Sequence, residues 1–184
     1  MQLQQQILGV FDIAGIACRV ASRDEGLWRL LSPRYADFVS DAIPQISLQV
    51  ELMERPPEDA AARWTGPFAR IGGQEGELLI EGAGFRGAFD EQSGEGWLIQ
   101  PPDPAPLETF LTAICAGRLL KNQGFLLHAA AILDENEALV FFGPSGSGKT
   151  TVAELIGQGV ITDEIVAIRR DGARIHDGLH RTAP

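Results

Sequence analysis

A glycine-rich segment from Gly143 to Thr150 carries the clearest chemical signal in the chain. It reads GPSGSGKT and fits the pattern G-x-x-x-x-G-K-[ST] without a mismatch. The apolar run ALVFF precedes it and TVAELIG follows it, so the sequence predicts a strand, a loop and a helix in that order. Main-chain amides in such a loop, aided by the dipole of the helix, point at phosphate oxygens. The pattern therefore predicts a site for a nucleoside triphosphate.

The residue types in this segment divide the work of binding. We expect Gly143, Gly146 and Gly148 to adopt positive φ and to let the backbone approach an anion. Lys149 supplies a positive charge for the β- and γ-phosphates, and the hydroxyl of Thr150 is a ligand for Mg²⁺. The remaining predicted cofactor-binding residues are Ser145, Ser147 and Thr151. We predict that the ligand is ATP with Mg²⁺, although the sequence does not separate ATP from GTP. The alternative to a phosphate-binding loop is a Gly/Ser-rich turn that precedes a helix by accident.

Two further groups near this loop are candidates for chemistry. Asp163 and Glu164 interrupt the apolar strand VITDEIVAI, and such a pair holds Mg²⁺ while one carboxylate accepts a proton from an attacking hydroxyl. The alternative for this pair is a solvated turn between two strands. His128 lies in LLHAAA, one strand before the loop, where it is either a satisfied core histidine or a residue of the site.

The elements that must position these residues fall into two parts. The proline cluster PPDPAP predicts a boundary between a β-rich N-terminal domain, residues 1–105, and a P-loop nucleotide-binding domain, residues 106–184. In the first part, alternation predicts a strand at 46–52, and apolar runs at 78–80, 85–89 and 97–99 between glycine-rich turns predict a meander of hairpins. Residues 25–39 are predicted to be helical, with a break or kink at Pro33.

The second part begins with a predicted amphipathic helix at 107–123. Leu107, Phe110, Leu111 and Ile114 repeat at helical spacing, Gly124 is the expected C-cap, and we expect the helix to pack against the sheet that follows. Two apolar runs, 126–133 and 138–142, are joined by DENE and predict a hairpin whose second strand leads into the glycine-rich segment.

Composition limits the classes of partner. Of the 184 residues 45% are hydrophobic, and the net charge of −10 argues against a nucleic-acid or anionic-membrane surface. Cys18 and Cys115 lie far apart in apolar stretches and predict two buried thiols. The first residues lack a basic region and carry Asp12 in the apolar run, and no uncharged apolar run reaches about 18 residues, so we expect a cytoplasmic protein.

These residues together resemble the HPr serine kinase/phosphorylase family. The resemblance is carried by GFLLH ending at His128, by GPSGSGKT, by the helix with Glu154 and Leu155, and by Thr162-Asp163-Glu164. It implies a phosphoenolpyruvate carboxykinase-type nucleotide fold and transfer of the ATP γ-phosphoryl group to a serine hydroxyl of a protein or peptide. It also implies that Asp163 is the base and that His128 lines the site, which leaves Glu164 as a metal ligand.

The sequence also departs from this family. Glu164 stands where the family usually has a second Asp, a later Glu-Ile-Arg-Gly-like signature is missing, and only residues 150–184 follow Lys149. We therefore expect an α/β (α+β overall) protein with a β-rich N-terminal domain and a shortened P-loop HPr-kinase-like domain, in which dimerisation supplies missing cover. The alternatives to a serine kinase are a nucleotide-binding regulatory module without phosphoryl transfer and a small-metabolite kinase.

Overall fold

The computed structural model describes residues 7–53, 69–135, 137–162, 164–170 and 176–177. Within these residues the protein is mixed α/β, with three α-helices, a seven-stranded sheet and a five-stranded sheet. The chain divides into two compact units. The first comprises Met1–Asp12 and Ile16–Ile114, and the second comprises Ile13–Gly15 and Cys115–Pro184.

The first unit is built on the seven-stranded sheet. Its strands are β1 (Ile7–Ile13), β2 (Ile16–Ser22), β3 (Ile46–Leu52), β4 (Ala69–Gly72), β5 (Glu77–Gly82), β6 (Phe85–Asp90) and β7 (Glu95–Gln100), in the order β1-β2-β3-β7-β6-β5-β4. The predicted strand at 46–52 is confirmed, and Ile46, Leu48 and Val50 are its buried face. The predicted meander is confirmed as antiparallel β5, β6 and β7. β3, however, pairs in parallel with both β2 and β7, which the local pattern did not predict.

Helix α1 (Glu25–Arg34) is shorter than the predicted helix. Its N-cap, Asp24, accepts a hydrogen bond from the amide of Leu27 at 3.1 Å, and Leu27 and Leu31 are its buried residues. Pro33 lies inside its last turn, where the helix ends instead of kinking and continuing; a short 3₁₀ turn (Ala36–Phe38) follows.

Helix α2 (Ala105–Lys121) crosses the division between the units. Its four predicted apolar residues, Leu107, Phe110, Leu111 and Ile114, are buried. They belong to the first unit, where the Phe110 ring lies against Gly87 of β6. That the helix packs against the following sheet stays a prediction. The left-handed residue after the helix is Gln123, with φ 56°, instead of the expected Gly124, which begins the next strand.

The second unit is built on the five-stranded sheet. Its elements are β8 (Gly124–Asp134), β9 (Glu137–Phe142), α3 (Lys149–Ile156), β10 (Val160–Thr162), β11 (Ile165–Arg169) and β12 (His176–Asp177). β9 lies on one edge of β8, and β10 and β11 lie along the other, all antiparallel to it. The predicted hairpin is therefore confirmed. The predicted single strand over 160–168 is divided into β10 and β11, with an irregular register in β10.

Two smaller expectations are answered by the same structure. Cys18 and Cys115 are free and buried, as predicted. Among the described residues, no helix combines the length and apolarity that crossing a bilayer requires.

Two arginines on α1 test how the first unit is stabilised. Arg34 donates to Glu108 at 2.7 Å, and the Glu108 side chain is only 12% exposed, whereas Arg29 and Glu25 form an exposed pair at 3.4 Å. We expect Arg34→Ala to lower the free energy of unfolding by about 1–2 kcal/mol, because it removes a charged hydrogen-bond donor from a largely buried carboxylate. The control, Arg29→Ala, should change it by less than about 0.5 kcal/mol.

Urea titration followed by tryptophan fluorescence measures this difference, because all three tryptophans of the sequence lie in the first unit. Equal effects of the two substitutions would contradict the stabilising role of Arg34.

Candidate functional site

The glycine loop, defined here as residues 143–148, joins β9 to α3. The predicted order of strand, loop and helix is thus confirmed. Within the loop the amide of Ser147 donates to the carbonyl of Pro144 at 3.1 Å, which closes a four-residue turn. Gly146 is the third residue of that turn and has φ 79°, the conformation that a type II turn requires of this position.

The three glycines of the pattern fall into two structural groups. Gly146 and Gly148 adopt left-handed backbone conformations, and a Cβ on either would meet no atom within 4 Å. Their requirement is therefore conformational, because side-chain-bearing residues rarely adopt such φ values. Gly143 does not have a positive φ, contrary to our expectation; a Cβ there would lie 2.9 Å from the Ser147 hydroxyl oxygen. A side chain at Gly143 would therefore require the Ser147 hydroxyl to move, but no change of backbone conformation.

The Lys149 side chain contacts the beginning of the glycine loop. Its side chain is directed back from the first residue of α3, and Nζ donates to the carbonyl oxygens of Gly143 at 3.0 Å and Pro144 at 3.1 Å. The residue is 8% exposed. No carboxylate in the described part of the chain forms a salt bridge with it. A largely buried ammonium group that contacts carbonyl oxygens, with no counter-ion among the described residues, is a favourable position for an anion.

The N-terminus of α3 adds main-chain donors at the same place. Its N-cap is Gly148, which has no side chain to accept a hydrogen bond, and its first turn contains no acidic residue. The first helical hydrogen bond runs from the amide of Val152 to the carbonyl of Gly148 at 2.9 Å, so the amides before it are not used inside the helix. Thr150 and Thr151 are exposed. The N-terminus of α3 therefore faces solvent, and no acidic side chain of its first turn neutralises its positive partial charge.

Glu164 is brought towards the glycine loop by β8. The amide of Ala129 donates to the carbonyl of Glu164 at 3.1 Å, and Ala129 is also the register partner of Phe142, the last residue before the loop. Because neighbouring strands lie about 4.8 Å apart, the main chains of Phe142 and Glu164 are roughly 10 Å apart across β8. The Glu164 side chain is exposed, and its amide donates to the Thr162 hydroxyl at 3.3 Å. Asp163, the predicted base, lies outside the described residues.

His128 is an exposed residue of β8 and not a satisfied core histidine. It precedes Ala129, and its register partner on β11 is Ile165. The next residues of β8, Ala129 to Ala131, are buried. His128 therefore lies at the position where β8 changes from an exposed to a buried strand, one residue from the row that links Phe142 to Glu164.

The donor set suits a hard cation only in part. The hydroxyl of Thr150 and the carboxylate of Glu164 are exposed oxygen donors of the kind that Mg²⁺ prefers. In the described ranges there is no group of three or more His, Cys, Asp or Glu side chains arranged to hold a metal ion.

The sequence pattern did not predict two features of this site. The double contact of Lys149 with main-chain carbonyls and the bond between Ala129 and Glu164 both depend on the folded backbone. Comparison with models of protein families and with curated proteins finds no match to this chain.

The burial of Lys149 gives a direct chemical test, because the chain has only one other lysine, Lys121, and it is exposed. An amine-reactive ester should modify Lys121 several-fold faster than Lys149, since the Lys149 ammonium is enclosed by the glycine loop. Peptide mapping by mass spectrometry at short reaction times measures both rates. Equal modification of the two lysines would show that Lys149 is not held against the loop.

Proposed function

We propose that this protein binds a nucleoside triphosphate, ATP with Mg²⁺, at the glycine loop and transfers its γ-phosphoryl group to a serine hydroxyl of a protein or peptide. The observation that carries the proposal is the Lys149 ammonium, largely buried and held by two loop carbonyls at the mouth of α3. Three features of this segment, the ammonium, the unused helix amides and the left-handed glycines, favour the same ligand, an anion. A polyphosphate uses all three at once.

The proposed fold follows the resemblance to the HPr serine kinase/phosphorylase family. In this proposal the first unit is a β-rich N-terminal domain, and the second is a shortened P-loop domain of the phosphoenolpyruvate carboxykinase type. The order of β8 with His128, the hairpin, the glycine loop, α3 and the acidic pair supports it. The proposal places the protein in the cytoplasm, where ATP is available.

The chain's own residues have separate roles in the proposed transfer. The loop amides and Lys149 bind and orient the β- and γ-phosphates, and the Thr150 hydroxyl with the Glu164 carboxylate would hold Mg²⁺. When bound, the cation neutralises charge on the phosphate oxygens. Glu164 would coordinate the cation directly or through water. His128 would line the site next to Ala129, which links Phe142 to Glu164.

The reaction itself needs one further group from the chain. The serine oxygen forms a bond to the γ-phosphorus, the bond from that phosphorus to the β–γ bridging oxygen breaks, and ADP leaves. The hydroxyl proton passes to the Asp163 carboxylate, which acts as the general base. Positioning supplies most of the remaining rate enhancement, because the transition state needs little covalent help from the protein.

A second candidate function is a nucleotide-binding regulatory module without phosphoryl transfer. It is favoured by the exposure of Glu164 and by the lack of a three-residue acidic or histidine cluster among the residues that the structure describes. Such a site would bind the nucleotide through the glycine loop but would lack the groups that phosphoryl transfer requires. The two candidate functions differ in whether the γ-phosphoryl group is transferred from ATP to an acceptor.

Nucleotide binding is tested by the two lysines of the chain. We expect Lys149→Ala to weaken MgATP binding by roughly 10- to 100-fold, because it removes a charged donor worth about 1.5–3 kcal/mol. Lys121→Ala, which removes the same charge from the exposed end of α2, is the matched control and should leave the affinity unchanged within about twofold. Isothermal titration calorimetry measures both; no heat with MgATP or MgGTP on folded parent protein would refute the proposed site.

Phosphoryl transfer is tested with γ-labelled ATP and an array of serine-containing peptides, each paired with its Ser→Ala counterpart. Asp163→Asn should lower transfer by roughly 10²- to 10⁴-fold, because it removes the general base while keeping the size of the side chain. Glu164→Gln should lower transfer less and raise the Mg²⁺ concentration required for half-maximal rate. Both variants should still bind MgATP.

If the parent protein binds MgATP tightly but no serine peptide gains label, the regulatory module is favoured over the kinase. If the Asp163→Asn variant transfers label to a serine peptide at the parental rate, the role of Asp163 as general base is refuted. The proposal of a nucleotide-binding site is not affected by that result.

A further inference from the structure

The outer edge of β9 is open as far as the described residues extend. In the part of the chain that the structure describes, β9 pairs with β8 on one side and with no strand on the other. An open edge presents a row of main-chain donors and acceptors that another strand satisfies.

The hairpin geometry identifies which main-chain groups point to this edge. Asp134 and Glu137 are the register pair next to the turn, which is the hydrogen-bonded pair of a short hairpin, and such pairs alternate along the strands. The main-chain groups of Glu137, Leu139 and Phe141 therefore bond to β8, and those of Ala138, Val140 and Phe142 point outward.

The other side of β8 agrees with this assignment. Ala129 and Leu133 are the register partners of Phe142 and Ala138. Their amides donate away from β9, to the carbonyls of Glu164 at 3.1 Å and of Gly159 at 2.7 Å. Ala129–Phe142 and Leu133–Ala138 are therefore non-hydrogen-bonded pairs between β8 and β9. The outward-pointing main-chain groups of Ala138, Val140 and Phe142 thus have no hydrogen-bond partner in β8.

The edge has none of the features that usually prevent pairing with another strand. Natural edge strands are protected by lysine, proline or bulges. β9 reads EALVFF, its register with β8 is regular, and its one charge is at its first residue. Leu139 is 43% exposed and Phe142 is 72% exposed. A strand this apolar is well suited to a partner strand.

We propose that a second copy of this chain pairs with β9 through its own β9, in antiparallel orientation about a two-fold axis at Val140. Outward-pointing residues must face one another in such a pair. In this register Val140 faces its own counterpart, Leu139 faces Phe141 of the second copy, and Ala138 faces Phe142 of the second copy. Every facing pair is apolar, and Glu137 does not face its counterpart, so no like charges are opposed.

The expected dimer is weak and strengthened by salt. A pair of six-residue strands buries less than a standard protein interface, so the association is expected to be weak. Each chain carries a net charge of −10, so the two copies repel one another at low ionic strength. The paired edge itself carries no opposed charges, so it does not weaken when this repulsion is screened.

Sedimentation equilibrium of the full chain between about 1 µM and 1 mM tests the proposal. Two variants should raise the dissociation constant at least about tenfold. Leu139→Lys places a charge on the edge strand, and Ala138→Pro removes an outward amide without removing a hydrogen bond to β8. Leu155→Lys is the matched control, because it makes the same change on α3 at a residue that is 81% exposed, and it should leave the constant unchanged.

Circular dichroism checks that each variant is folded, and Leu139→Lys keeps the test valid if the proline variant is not. A parent that stays monomeric to about 1 mM in 0.5 M salt would overturn the proposal. Dimers of equal strength in the parent and in folded Leu139→Lys would also overturn it, since they would use another surface. Pairing with an added serine peptide but not with a second copy would replace the proposed partner.

Discussion

The contact of the Lys149 ammonium with the carbonyl oxygens of Gly143 and Pro144 is the interaction on which the candidate site depends. It ties the first residue of α3 to the beginning of the loop that precedes it. The bond forms only if the intervening backbone reverses direction, which it does through left-handed Gly146 and Gly148. A positive charge is thereby fixed beside the helix N-terminus, where the main chain already favours an anion. Charge, backbone conformation and helix position are consequences of one local arrangement.

β8 brings that arrangement towards the acidic segment. Ala129 has the last residue of β9 as its register partner on one side and donates to the Glu164 carbonyl on the other, so a single buried alanine lies between the loop strand and the carboxylate-bearing segment. Ala129 and Ala131 are fully buried, and Leu127, Val140 and Ile161 pack against the cluster that they form with Val166. A larger side chain at Ala129 would displace residues of this cluster.

The sequence predicted what local patterns determine. The alternation of β3, the β5–β7 meander, the β8–β9 hairpin and the loop before α3 each depend on neighbours within a few residues. The parallel pairing of β3 with β7 joins segments about 50 residues apart, and nothing in either strand's pattern specifies it. Gly124 was expected to end α2, yet a Cβ there would lie 2.8 Å from the carbonyl oxygen of Ile168 on β11. The glycine is required by a strand that lies far along the chain, and Gln123 takes the left-handed position.

The same distinction separates the two parts of the proposed function, nucleotide binding and phosphoryl transfer. The glycine loop is closed by bonds between residues at most six positions apart, so its geometry needs little from the rest of the fold. Phosphoryl transfer depends on groups that different strands bring to one place and on the exclusion of water, and His128 and Glu164 are both exposed. The open edge of β9 ends where the loop begins, so an antiparallel strand added there would begin beside the loop. In the proposed dimer the partner strand would therefore lie next to the proposed nucleotide site.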